Sequence, residues 1–295
     1  MKKLLLLVVT SLFATATIAQ NADSVAFANA KRHSLRLKNA EGYTISAKIF
    51  GVPQTISIIK FSPKKFTIKP IQPYSLTTVG EVCEEQKADF GINACYWAVS
   101  TGVPTTFVKT DGKVMSGTHP GALPRVNGLL LMHKNRIEIV RSYDRPEYPE
   151  LADKCDNIIA CGPVLLDDGK VVDYGYILNS EEKKMVRQHP FFLRRHPRSA
   201  IGCNAEGEVF LVVVDGRFRD NAVGASIAEM AKLCKWLGMV EAMNLDGGGS
   251  STLWSKSYGV INHPCDNRIF DHEGSREVSS TLIVKAKKKQ KKQKR

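Results

Sequence analysis

After its first twenty residues the 295-residue chain has no apolar run near the ~20 residues that a membrane-spanning helix requires. Nothing beyond that point reads as a stable membrane insertion. None of the seven cysteines, Cys83, Cys95, Cys155, Cys161, Cys203, Cys234 and Cys265, stands in a CxxC pair, so the spacing of a zinc site is missing. An odd count leaves at least one thiol unpaired. Cys155 and Cys161 are near enough in sequence to pair in an oxidising compartment, although a chain of this length does not need the bridge. There is no internal repeat and no long linker. Acidic residues are missing from one place in particular, the last eleven positions, where Lys285 to Arg295 hold eight cations. With Lys2 and Lys3 that segment accounts for ten of the formal +13, which leaves the body near +3. The excess reads as a solvated, disordered tail, residues 285–295, able to contact anionic envelope polymers. It does not read as a nucleic-acid-binding face.

What is present begins with a leader. Lys2 and Lys3 precede the apolar run Leu4 to Val9, and small residues close the segment at Thr17-Ile18-Ala19. That order is the pattern of a cleavable signal peptide over residues 1–19, and it points to a periplasmic or extracellular protein. About 275 residues follow, enough to bury a sizeable core.

Tyr43 to Phe50 and Gln54 to Phe61 alternate apolar and polar residues, which predicts two strands joined through Gly51-Val52-Pro53. Thr77 to Ala88 reads as a short helix, and Asp89 to Trp97 as a buried strand running into a loop. Hairpins are expected at 107–115, 128–140, 158–172 and 200–214, each with turn residues at its tip. Ser226 to Leu237 is the clearest helix. Its apolar residues fall at helical spacing, Ser226 and Glu229 form a capping box, and Gly238 suits the left-handed stop. Val240 to Leu245 then reads as a strand that delivers Asp246. Many strands with few helices argue for an α+β fold, a single domain of mixed, largely antiparallel sheet with flanking helices. Residues 20–89 supply strands that join the main sheet, and residues 90–284 form the body.

Three polar constellations interrupt these apolar strands. The first is Gly91-Ile92-Asn93, with His119 and Arg125 in the loops after it. The second runs from His196-Pro197-Arg198 to Asp215-Gly216-Arg217. The third is Asn244-Leu-Asp-Gly-Gly-Gly-Ser-Ser251. Three consecutive glycines are costly to order, so a packed chain keeps them where the backbone needs positive φ or a close approach. Strand-like flanks make this an ordered loop whose amides, with Ser250 and Ser251, can cradle an anion. No lysine follows, so it is not a phosphate-binding P-loop. Arg198 and Arg217 offer bidentate forks to phosphate or carboxylate. Asp215 and Asp246 each end an apolar strand, and two carboxylates beside an anion site are what glycoside cleavage uses. Glu229 is a third candidate, although its capping-box position already gives it a structural job.

These residues resemble the phosphodiester glycosidase family. The likeness rests on Asn244 to Ser251, on Gly91 to Trp97, on Gly162 to Gly169, on His196 to Gly202, on Val214 to Arg217, on Gly224 to Glu229 and on Asn267 to Arg276, in the family's order. It spans roughly residues 90–284. Ala94 and Cys95 depart from the family's glycine pair after the asparagine, which narrows that loop. The resemblance implies hydrolysis of a sugar-1-phosphodiester linkage in a glycan, releasing free sugar and a phosphomonoester. It implies Asp246 and Asp215 as catalytic carboxylates, with Glu229 in reserve. Arg198 and the amides of Gly247, Gly248 and Gly249 are implied at the phosphate, supported by Arg217, Ser250, Ser251 and His119, with Asn93 and Asn244 orienting hydroxyls or backbone. No cofactor and no metal is demanded, although a divalent cation shared by carboxylate and phosphate is compatible with the scheme. The rival reading is a non-catalytic binder of anionic glycans, and carboxylates beside the anion site argue against it because they would repel the ligand.

Overall fold

The computed structural model describes residues 22–122, 125–141, 153–174 and 190–288. The leader read over residues 1–19 and the last seven residues of the basic tail lie outside them. After a helix α1 at residues 22–29, the chain forms β1 (Arg32–Leu35), β2 (Ala40–Ile49), β3 (Val52–Phe61) and β4 (Phe66–Ile71), then helix α2 (Val79–Glu85) and β5 (Phe90–Asn93). Short pairs follow: β6 (Trp97–Ala98) with β7 (Val103–Pro104), and β8 (Val108–Thr110) with β9 (Lys113–Ser116). The middle of the chain gives β10 (Gly128–Met132), β11 (Ile137–Arg141), β12 (Ile158–Cys161), β13 (Val164–Asp167), β14 (Lys170–Val171) and helix α3 (Pro190–Leu193). The last part gives β15 (Arg198–Cys203), β16 (Val209–Val214), helix α4 (Ile227–Trp236), β17 (Glu241–Asn244), β18 (Leu253–Ser255), β19 (Gly259–Val260) and β20 (Thr281–Ala286).

The strands form an eight-stranded sheet ordered β1-β2-β3-β16-β15-β17-β13-β14 and two five-stranded sheets, β11-β10-β12-β8-β9 and β19-β18-β5-β20-β4. This is the expected α+β architecture, with antiparallel pairing throughout the described ladders. The large sheet is covered on both faces, and that explains why β16 reads Val-Phe-Leu-Val-Val-Val without alternation. Val209, Leu211 and Val213 pack toward the two smaller sheets. Phe210, Val212 and Val214 pack under α4 and Phe27 of α1. Ser226 and Glu229 make the capping box of α4 as expected, and Gly238 ends the helix region at φ +87°. Thr78 and Glu81 form a second capping box at α2, which packs Val79, Val82 and Cys83 against Trp254 and Ile283.

Several elements depart from their sequence reading. The turn after β2 is Phe50-Gly51, with φ of +57° and +74°, so Val52 and Pro53 already belong to β3. Two positive φ values in succession match the twist of a two-residue hairpin. Residues 158–172 are not one hairpin: β12 joins β10 in the second sheet, whereas β13 and β14 lie at the edge of the first. Lys285 and Ala286 belong to β20, paired with Thr67 and Phe66, so the basic segment does not leave the fold at residue 285. Both are exposed past the buried Thr281 to Val284, which is why charge there does not end the strand. All seven cysteines are free thiols, Cys155 and Cys161 included.

Gly202 shows how tightly β15 and β17 approach. A Cβ there would lie 2.3 Å from the carbonyl oxygen of Glu241. Gly202→Ala is therefore expected to lower unfolding stability by about 1–3 kcal/mol, read as a reduced denaturation midpoint. An unchanged midpoint would contradict this packing.

Candidate active site

Topology alone brings the three constellations together. β15 lies between β16 and β17, with Arg198 beside Val214 and Ala200 beside Asn244. The end of β16, the start of β15 and the end of β17 therefore meet at one edge of the sheet, carrying Asp215, Arg198 and Asp246. β5 arrives from the third sheet, and its last residue, Asn93, is fully buried. Asn93 Nδ2 donates to the Asp246 carbonyl at 2.6 Å, while Asn93 Oδ1 accepts from Ser199 Oγ at 2.7 Å and from the Thr252 amide at 3.1 Å. Asn244 is equally buried and donates to Tyr96 Oη at 2.9 Å and to the Gly162 carbonyl at 3.1 Å. Both asparagines hold backbone, not an open pocket.

Asp246 retains a partial opening to solvent, yet protein surrounds its carboxyl. Burial raises its pKa to about 6, against the opposing pull of the Ser250 hydroxyl, the Gly247 amide, Arg125 and Arg276. Gly247 N–H donates to Asp246 Oδ1 at 2.9 Å.

The glycine run is a shaped loop, as expected, but its amides are not a free anion nest. The Gly247 amide serves Asp246, and the Gly248 amide donates to the Pro197 carbonyl at 2.9 Å. The glycines answer to close approach instead. Gly248 has φ +63°, and a Cβ there would lie 2.9 Å from Arg217 Nη2; one at Gly249 would fall 2.4 Å from Asp266 Oδ1 and 2.6 Å from Arg276 Cζ. The loop thus packs against Arg217, Asp266 and Arg276, three of the side chains that, with Phe218, Cys265 and Arg268, line a cavity of about 400 Å³. Ser250 and Ser251 are buried beneath it.

The cations fall into two groups. Arg217 is exposed at the cavity, with Nη1 donating to Cys265 Sγ at 3.5 Å. Arg276 forms a two-point pair with Asp266, at 2.7 and 2.6 Å. Arg198, by contrast, is 1% exposed. Its Nε donates to Ala225 O at 2.9 Å, and its Nη2 donates to Phe191 O at 2.6 Å and Arg194 O at 3.1 Å. Burial pushes its pKa down to about 10. It ties the start of β15 to α3, to the residue after it and to the segment before α4, which corrects its placement at an open phosphate site.

The remaining carboxylates differ sharply from Asp246. Asp215 is wholly buried: Oδ1 accepts from Asn262 Nδ2 and from the His263 amide, both at 3.0 Å, and Oδ2 lies 2.9 Å from His263 Nδ1. Burial raises its pKa against those hydrogen bonds. Asp215 thus orients a histidine, the arrangement by which a carboxylate fixes an imidazole's direction. His263 stacks on Phe270 at 3.8 Å, and Phe270 packs edge-on to Phe218 in the cavity wall. Glu229 is held by its capping box and by Arg195 at 2.5–3.1 Å. Burial works against its ionisation, but Arg195 and Ser226 outweigh it and its pKa is lowered. It is a structural ion pair. His119 is exposed in its loop, where Nδ1 accepts from the Gly121 amide at 3.1 Å, a turn contact. Among the described residues no group of three or more His, Cys, Asp or Glu side chains is placed to hold a metal ion.

Sequence reasoning missed His263, Asp266, Arg268 and Arg276. They lie in an irregular segment without periodicity, brought to the glycine loop only by tertiary packing. Arg276 stood inside a stretch of family likeness, and that was its only signal.

The phosphodiester glycosidase family model matches residues 86–285, about two thirds of the chain. No curated protein matches it in sequence. Solved structures share its fold, among them the following three. A hypothetical protein from Synechocystis superposes with a TM-score of 0.67 at 16% identity, over 87% of this chain and 64% of that one, so this chain spans just under two thirds of that protein's length. The catalytic domain of zebrafish N-acetylglucosamine-1-phosphodiester alpha-N-acetylglucosaminidase, auto-inhibited by its pro-peptide, gives 0.65 at 18% identity, over 92% of this chain and 93% of that one. A putative exported protein from Burkholderia pseudomallei gives 0.58 at 16% identity, over 79% and 74%. At these identities the three structures establish a shared fold, while the family model runs from the residue after α2 into β20 and includes the glycine loop and the arginine-lined cavity. The chain belongs to the phosphodiester glycosidase family.

Proposed function

We propose that this chain is an exported hydrolase that cleaves sugar-1-phosphodiesters at the glycosidic bond, acting on surface or host glycans. The observation that carries the reading is Asp246, whose pKa of about 6 lies close to neutrality beside an arginine-lined cavity. A carboxylate with that pKa exchanges a proton readily under working conditions.

In this scheme the phosphate occupies the cavity against Arg217 and Arg276, with Arg268 at the mouth. Water adds to the anomeric carbon as the bond from that carbon to the phosphate-bound oxygen breaks. Asp246 takes the proton released by the water. The departing phosphomonoester has a second pKa near 6, so it leaves with little need of protonation, and fixed guanidinium groups stabilise its growing charge. Preorganised donors of that kind are typically worth ~3–4 kcal/mol each. Asp215 acts through His263, which it holds against Phe270 at the cavity wall. Asn93 and Asn244 hold the backbone at Asp246 and Leu245, and Arg198 stiffens the neighbouring start of β15.

Asp246→Asn is expected to abolish turnover and to stabilise the protein at pH 7. Raising the pKa from 3.8 to about 6 means that the folded state disfavours the charged form. For a partly exposed group this is a penalty of about 1–3 kcal/mol. The penalty operates above pH 6 and disappears below pH 4, so the variant's gain in Tm should do the same. Wild-type kcat/KM should fall below pH 6, as Asp246 takes up its proton. Full activity in the variant would remove Asp246 from the mechanism. Arg276→Ala should raise KM and lower kcat for the phosphodiester at least tenfold, whereas unchanged constants would place the phosphate elsewhere.

A further inference from the structure

A second charged feature lies at the end of the molecule remote from the glycine loop. β20 runs between the two ends, with Thr281 beside Asn93 at the site and Ala286 beside Phe66 at the other. At ~3.3 Å per residue this separates the ends by roughly 17 Å. β3 runs likewise, from Ile56 beside Val214 to Phe61 beside Val209.

At the remote end Lys287 ties the end of β20 to two turns, residues 63–65 and residues 134–135. Its amide donates to the Lys65 carbonyl at 2.9 Å. Its ammonium donates to Pro63 O at 2.6 Å, to Lys134 O and to Asn135 Oδ1 at 2.9 Å. Lys285 adds the end of α2 by donating to Gln86 O at 3.0 Å. Lys64, Lys65, Lys87, Lys134, Lys285 and Lys288 are exposed here. The acids at this end compensate only in part. Glu138 is taken by Arg136 and His133, Glu41 and Glu208 by Lys60, Asp89 accepts from the Ala286 amide, and Glu84, Glu85 and Glu206 lie exposed, against exposed lysines on four segments and the cationic residues that follow. Burial, and then Lys134, push the Lys287 pKa down. From this same point the sequence continues with Lys289, Lys291, Lys292, Lys294 and Arg295.

We propose that this lysine-rich end is a docking surface for an anionic phospholipid bilayer, on which the protein rests with its arginine-lined cavity facing away. Lysine is a compact point charge without the fork that recognises a single phosphate, so an array of lysines suits diffuse negative potential. The depression at this end offers an anionic polymer no slot, because it is lined by Glu41 and Glu208 and its Lys60 already pairs with both, at 2.9 and 3.4 Å. No described helix is long and apolar enough to cross a membrane, and the attachment proposed is peripheral and reversible, carried by charge alone. Folded face and tail root share one location, and the two together raise the effective strength of either.

The test is co-sedimentation of the full chain with vesicles of phosphatidylglycerol and phosphatidylcholine, compared with phosphatidylcholine alone. Binding is expected to the anionic vesicles only, and to be lost at 0.5 M salt (roughly a 4 Å screening length). K64Q/K65Q/K134Q, with the tail intact, should bind roughly fivefold more weakly per lysine removed while hydrolysing a soluble phosphodiester at the wild-type rate. Wild-type binding by that triple variant, together with complete loss in a chain truncated after Lys288, would overturn the proposal by assigning all affinity to the tail. So would equal binding to neutral vesicles, or retention on an acidic polysaccharide without binding to vesicles.

Discussion

The buried side chain of Asn93 is the interaction on which the candidate site depends. It ties the carbonyl of Asp246 to Ser199 on β15 and to the amide of Thr252, joining strands of two sheets through one residue with no exposed surface. Left without Asn93, those buried groups would lose partners at ~1–3 kcal/mol each. The carboxylate of that residue is thus anchored through its backbone and held by the Gly247 amide and the Ser250 hydroxyl in surroundings that burial has partly dried. The same burial that destabilises its charge brings its proton affinity into the working range, a familiar exchange of stability for function.

Charge is distributed in keeping with that arrangement. Arg198 is sealed in the interior and satisfied by the carbonyls of Phe191, Arg194 and Ala225, so it contributes field and rigidity. Arg217, Arg268 and Arg276 open onto the cavity, where an anion can displace water from them. Asp215 and Glu229 are both committed to partners, His263 and Arg195. Of the three carboxylates in contention, Asp246 alone combines a pKa near neutrality with a place beside the glycine loop that packs on the cavity's arginines, feeling the charge of Arg276.

Much of the fold was legible because burial writes itself into periodicity. The capping box at Ser226, the Gly238 stop and the apolar run of β16 each follow from local physics, and the structure has them where the sequence implies. Asp246 was legible because an ordered glycine triplet is too costly to occur without a spatial reason. That reason turned out to be steric: Arg217, Asp266, Arg276 and Pro197 crowd the glycines, and two of the three amides are used internally. His263 and Arg276 were not legible, because their significance comes from packing between segments far apart in sequence. β20 was obscured by its own charge, since Lys285 looked like the start of a solvated tail although the four residues before it are buried.

The most direct test follows the oxygen of water. Hydrolysis of a sugar-1-phosphodiester by the purified protein in ¹⁸O-water, with both products analysed by mass spectrometry, reports which bond to the bridging oxygen breaks. Label in the anomeric hydroxyl of the sugar, with none in the phosphomonoester, is the result predicted for water attack at carbon with phosphate departing into the arginine-lined cavity. Label in the phosphomonoester would mean attack at phosphorus and would contradict the account.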